Sequence, residues 1–196
     1  MKNLIVNGVD FQGELPEEWT IGQLVQIIER EVLDEGELVV TVHTDGEDFT
    51  GGDWSRTLAE TERLEIVANH VSVVVSEAVA TSKNSLVQFE NELTTAVESF
   101  QVGEEPRGWH AYRRSLLALS SFVNVAEQLD RVMNGGVADG EAHSQKIRSF
   151  SVELGQHLAE MEQASGDEDV VALCDSAEEL TAWSLDAWNA VWAVEQ

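Results

Sequence analysis

The sequence predicts an α+β protein in two parts: a sheet-containing domain over residues 1–69, then an antiparallel four-helix bundle over residues 70–196. Two observations carry this. Apolar residues recur with a period near two through most of the first seventy positions, and from His70 onward they recur at steps of three, four or seven. The change falls inside "ETERLEIVANHVSVVVSEAVATSKNSL", where no Pro/Gly linker separates the two patterns, so coupled domains are expected.

The first elements follow in order. Leu4, Ile5 and Val6 read as a strand, Asn7-Gly8 as a two-residue hairpin turn that accepts positive φ, and Val9–Phe11 as the return strand. Thr20 is the expected N-cap of a helix that carries Ile21, Leu24, Val25, Ile27, Ile28 and Val32 near helical spacing. Leu38–Val42 is a strand, Asp45-Gly46 a turn, Trp54–Leu58 an irregular crossing and Leu64–Val67 the last strand.

This order, with "LIVNGVDF", "TIGQLVQII" and "TDGEDFTGGDWSRTLAETERLEIV", resembles the β-grasp of the ubiquitin-like class, and most closely the sulfur-carrier proteins of thiamine and molybdopterin biosynthesis. The resemblance covers about the first third of the chain. It implies a β-grasp domain over residues 1–69. Carriers of that family end just past the last strand in a Gly-Gly whose carboxylate is activated, whereas here Val67 is followed by Ala68, Asn69, His70 and more than a hundred further residues. The resemblance therefore implies a surface for protein contact without the sulfur-carrying chemistry.

"VSVVVSEAV" taken alone favours strand through its β-branched residues, but Val75, Val79, Leu86, Phe89, Leu93, Ala96 and Phe100 continue at helical steps. A helix is expected from His70–Ser72, capped by Asn69 or Ser72. Pro106 and Gly108 break the chain before a second stripe of Trp109, Tyr112, Leu116, Leu119, Val123 and Ala126, which "NGGVADGE" ends with Gly135 as a left-handed cap. Ile147, Phe150, Leu154, Leu158 and Met161 mark a third helix. Val170, Leu173, Ala177, Leu180, Trp188 and Val191 mark a fourth, beginning near Asp167 or Glu168.

Thirty-seven acidic against eleven basic residues give a formal charge of −26, which repels phosphate backbones and anionic lipid surfaces, so nucleic acid and membranes are poor partners. The acidity is also what a solvated, salt-adapted surface would show. The single Cys174 excludes an intramolecular disulfide and suits the cytoplasm. "MKNLIVNGVDF" breaks at Asn7-Gly8, too early for a signal peptide, and no apolar run is long enough to span a bilayer.

No catalytic constellation stands out, and neither an enzyme activity nor a cofactor is expected. None of the five His residues has a Glu three positions before it, as a di-iron bundle needs. Glu153, His157 and Glu160 share a helix edge with the donor types of a weak metal site, but Glu/His mixtures on polar faces are ordinary and no stoichiometric metal is expected. "DGEDFTGGD" carries Asp45, Glu47, Asp48 and Asp53 without calcium-loop spacing, and Gly51-Gly52 and Gly135-Gly136 lack the context of a phosphate loop. Cys174 reads as a core thiol.

Two features depart from the background. Arg107, His110 and Arg114, with Arg113 nearby, form a basic strip on an acidic chain, close to a helix start where cations are unfavourable. Trp183 points about 120° away from the apolar centre of its helix, at roughly 100° per residue. Each has an internal account, acidic neighbours for the strip and the sheet domain for Trp183. Each also has a functional account, as part of a partner-binding surface. The function expected is a non-enzymatic protein-interaction module, an adaptor or a chaperone for another protein's amphipathic segment, with exported or flagellar proteins among the candidates. The alternative is an accessory subunit or vestigial carrier of a sulfur-transfer or related enzyme, recognised through its β-grasp face.

Overall fold

The structure, a computed structural model, describes residues 3–11, 13, 15–49, 53–134 and 140–193. It is an α+β protein with a five-stranded sheet first and long helices after it. The chain divides into two compact units, Met1–Val74 and Val75–Gln196.

In the first unit the strands are β1 (Asn3–Val6), β2 (Val9–Asp10), β3 (Glu37–Thr44), β4 (Glu47–Asp48) and β5 (Arg63–His70), in the spatial order β2-β1-β5-β3-β4. β1 and β5 run parallel, with Leu4 opposite Leu64, and every other pair is antiparallel. Both hairpin turns are as the dipeptides predict: Asn7 and Gly8 have φ of 49° and 77°, and Asp45 and Gly46 have 55° and 89°. Asn7 also ties its turn to the sheet, since its Oδ1 accepts the Ala68 N–H at 2.7 Å.

Helix α1 (Ile21–Glu31) begins with a capping box in which the Thr20 hydroxyl accepts from Gln23 N and the Gln23 side chain accepts from Thr20 N. The crossing segment accepts two further orphan donors of that helix end, Ile21 N to the Arg56 carbonyl and Gly22 N to the Trp54 carbonyl, both at 3.0 Å. Ile21, Leu24 and Ile28 bury against Leu4, Val42, Leu58, Leu64 and Ile66. Val32, expected on this apolar face, is exposed as the C-terminal cap residue, and Leu33 packs in its place.

β5 passes into α2 (Val71–Gln101) with no intervening residue. The donor at the start of α2 is met differently from expectation. Ser72 N donates to the imidazole Nδ1 of His70, which also contacts the Ser72 hydroxyl at 2.7 Å, while the Asn69 side chain accepts from His70 N. Val71 N donates to the Gly36 carbonyl. Gly36, at φ 86°, lies under the His70 ring, where an added β-carbon would come within 3.0 Å of Nε2.

In the second unit, α2 is followed by α3 (Glu105–Asn134), α4 (Gly140–Gly166) and α5 (Val170–Val191). Leu86, Phe89, Leu93, Phe100, Leu119, Phe122, Ile147, Phe150, Leu154, Leu180 and Trp188 form one continuous core. Pro106 and Gly108 do not break the chain. Pro106 sits in the first turn of α3, where its missing N–H costs little, and Gly108 is buried under Phe100, whose ring would lie 2.6 Å from an added β-carbon. The actual turn is Val102–Glu104, with Gly103 at φ 78°. The buried stripe of α3 runs through Tyr112, Ser115, Leu119, Phe122 and Ala126, so Leu116 and Val123 fall on its flank and are exposed. Asp169 caps α5 by accepting from Ala172 N. Gly51, Gly52, Gly135 and Gly136 lie outside the described residues. No described helix is long and apolar enough to cross a membrane.

Candidate functional site

Arg107, His110 and Arg114 share one face of α3, as the i, i+3, i+7 spacing predicts, and all three are exposed. Two of them have acidic neighbours within the helical unit. Arg107 pairs with Glu104 at 3.1 Å just before the helix, and Arg114 pairs with Glu92 of α2 at 2.6 Å. The two pairs differ in setting, because the Arg107 and Glu104 side chains are both largely in water whereas that of Glu92 is only 19% exposed. Leu117, one turn beyond Arg114, continues the same face and is 70% exposed. A Leu outside the apolar stripe carries no periodic signal in the sequence; its spacing from Arg107, His110 and Arg114 is the available clue.

Trp183 is half-buried within the helical unit. Its ring stacks on Phe150 with centroids 4.9 Å apart and planes 12° from parallel, and it meets the His157 imidazole at 5.0 Å. It lines a groove of about 660 Å³ between α4 and α5 with Phe150, Glu153, Ala187 and Ala190. The contacts of Trp183 and of the basic strip lie on different helices: α4 holds the tryptophan, and α2 holds Arg114.

The acidic turn of the sheet unit is occupied with structural work. Asp45 Oδ1 accepts the N–H groups of Glu62 and Arg63 at 2.9 and 2.8 Å, and its Oδ2 meets Arg56 at 3.3 Å. Those bonds, led by the Arg63 amide, hold its carboxyl below the usual aspartate range. Asp53 accepts from the Ser55 hydroxyl and amide, which lower its pKa in the same way, and Asp48 lies 2.6 Å from His43 Nδ1. Asp45, Asp48 and Asp53 therefore each have a separate partner, and among the described residues they form no group that could share a metal ion.

On α4, Glu153 lines the Trp183 groove, and the carboxylate that joins His157 and Glu160 is Glu179 of α5. Cys174 is buried, and burial pushes its thiol above the usual range, away from nucleophilic reactivity. Compared with protein families, curated proteins and solved structures, the chain has no match.

Proposed function

We propose that the chain is a non-enzymatic protein-interaction module, adaptor or chaperone-like, that docks an acidic amphipathic segment of another protein on α3. The observation that carries this reading is the exposed run Arg107, His110, Arg114 and Leu117, which sets cations beside an uncovered apolar side chain. Arginine is among the residue types enriched where proteins meet. Trp183 belongs to a separate face, as a second border of the bundle.

The architecture proposed is a β-grasp followed by an antiparallel four-helix bundle. The order β2-β1-β5-β3-β4 with its parallel central β1–β5 pair, and α1 between β2 and β3, supports the first part. Cross-helix pairs whose numbers run in opposite senses support the second: Glu92 with Arg114 and Phe100 with Trp109, Asp130 with Arg148 and Phe122 with Phe150, Ser82 with Trp188 and Gln101 with Glu178. Small acidic helical-bundle chaperones of flagellar and type III secretion are similar in charge and layout, by analogy alone.

The test is capture from the native host's extract on the immobilised full chain, quantified by mass spectrometry, for wild type, Arg107→Glu/Leu117→Glu and Val152→Glu, an exposed apolar position on α4. The strip variant should lose about tenfold of its captured protein, the equivalent of about 1.4 kcal/mol, with an unchanged melting midpoint; Val152→Glu should lose none. Equal capture by all three removes the strip. A second reading, an accessory subunit recognised through the sheet, draws on the exposed Val67 of β5, which pairs with Thr41 of β3 next to the exposed Val40 at the register shift. In that case Val67→Glu, and not the α3 variant, abolishes binding to an adenylating enzyme.

A further inference from the structure

We propose that His157 and Glu160 of α4 and Glu179 of α5 bind one first-row divalent metal ion, with Zn²⁺ as the representative species. One donor atom from each of the three lies within 4.8 Å of the others. Zinc–nitrogen and zinc–oxygen bonds of about 2.0–2.2 Å place donors sharing one ion roughly 3.3–4.3 Å apart. Small rotamer adjustments of two exposed glutamates close that difference, and the helix backbones need not move.

The donor set selects the class of ion. Two carboxylates and a neutral imidazole carry two negative charges, which a dication balances, whereas in its absence two like charges face each other. Imidazole favours zinc and its first-row neighbours over calcium and magnesium, which prefer all-oxygen shells. Three protein donors on a face open to water leave a fourth position for a solvent ligand.

The imidazole is also positioned. His157 is half-buried, and its ring lies against Trp183, centroids 5.0 Å apart and tilted 41°, while Trp183 is itself stacked on Phe150. The aromatic contact restrains the ring before any ion arrives, as packing does for a preorganised ligand. It separates this group from the many exposed carboxylates of a chain with charge −26. The site departs from the expectation, drawn from spacing on one helix, that no metal binds: the third donor comes from the neighbouring helix, and the Glu153 considered with His157 and Glu160 lines a different groove.

The experiment uses the full chain stripped with chelator, then titrated with ZnCl₂ by calorimetry at an ionic strength of about 0.15 M, with Mg²⁺ in excess to occupy unspecific carboxylates. One Zn²⁺ per chain should bind and raise the melting temperature, and Cu²⁺ should quench tryptophan fluorescence through Trp183. Glu179→Gln and His157→Gln should each weaken Zn²⁺ at least tenfold, and Glu153→Gln should leave it unchanged. If metal-free Glu179→Gln lacks a cooperative melt, Glu160→Gln takes its place with the same expected loss. No saturable binding near one ion per chain, or undiminished affinity in the Glu179→Gln or Glu160→Gln protein, would overturn the site.

Discussion

Trp188 donates its indole N–H to the hydroxyl of Ser82 at 3.0 Å, linking α5 to α2 at a point where both side chains are at most 1% exposed. Ser82 in turn donates to the Val79 carbonyl, so a small polar chain crosses the core beside the rings of Phe122 and Phe150. Replacing Ser82 by Ala leaves the indole donor buried without an acceptor, which should destabilise the helical unit by about 1–3 kcal/mol. Urea unfolding followed by tryptophan fluorescence measures it. The Ser82→Ala/Trp188→Phe double variant should lose less than the sum of the singles, because no polar group is then orphaned.

Asp45 makes the stability of the sheet unit depend on acidity. Its folded carboxyl titrates below the ordinary value, chiefly through the Arg63 amide. A depressed pKa stabilises the fold above the unfolded value of about 3.9, and that contribution disappears as pH falls through the lower folded value. Hydrogen exchange of the β5 amides should therefore show wild type more protected than Asp45→Asn at neutral pH. The two should converge as pH drops below about 4; a gap that persists into strong acid would refute the assignment.

The two arginine pairs on α3 should separate under charge reversal. Arg107 and Glu104 are both well solvated, and reversing Arg107 should cost at most about 1 kcal/mol. Arg114→Glu instead sets a second carboxylate against the poorly exposed Glu92, for a loss of about 1–3 kcal/mol. Thermal melts decide this, and Glu92→Arg placed with Arg114→Glu should recover most of the loss. Equal effects at both positions would mean that burial of Glu92 carries no weight.

The elements most legible in the sequence are those whose signal is local. Asn7-Gly8 and Asp45-Gly46 announce their turns because only a few residue types accept positive φ, and Thr20 with Gln23 announces the α1 start because the two side chains serve each other's backbone. The α2 stripe of Leu86, Phe89, Leu93 and Ala96 was legible over the β-branched "VSVVVSEAV" because period outweighs propensity across a long window. Where a contact is made at a distance, local reading failed. Pro106 and Gly108 look like breakers, yet the first suits a helix start and the second makes room for Phe100. The start of α2 looked like a task for Asn69 or Ser72, and the imidazole of His70 performs it.

By itself, then, the sequence determined the class, sheet first and helices after, the turns, the main buried stripes and the shared helix face of Arg107, His110 and Arg114. All of these follow from backbone sterics and from burial of apolar periods, which neighbouring residues encode. Only the tertiary structure decided that Glu92 comes to Arg114, that Phe150 and His157 hold Trp183, and that Glu179 reaches His157 and Glu160. Each of these pairings joins separate helices, and their rotation and register are set by how the whole core fills space, a property that no short stretch of sequence contains.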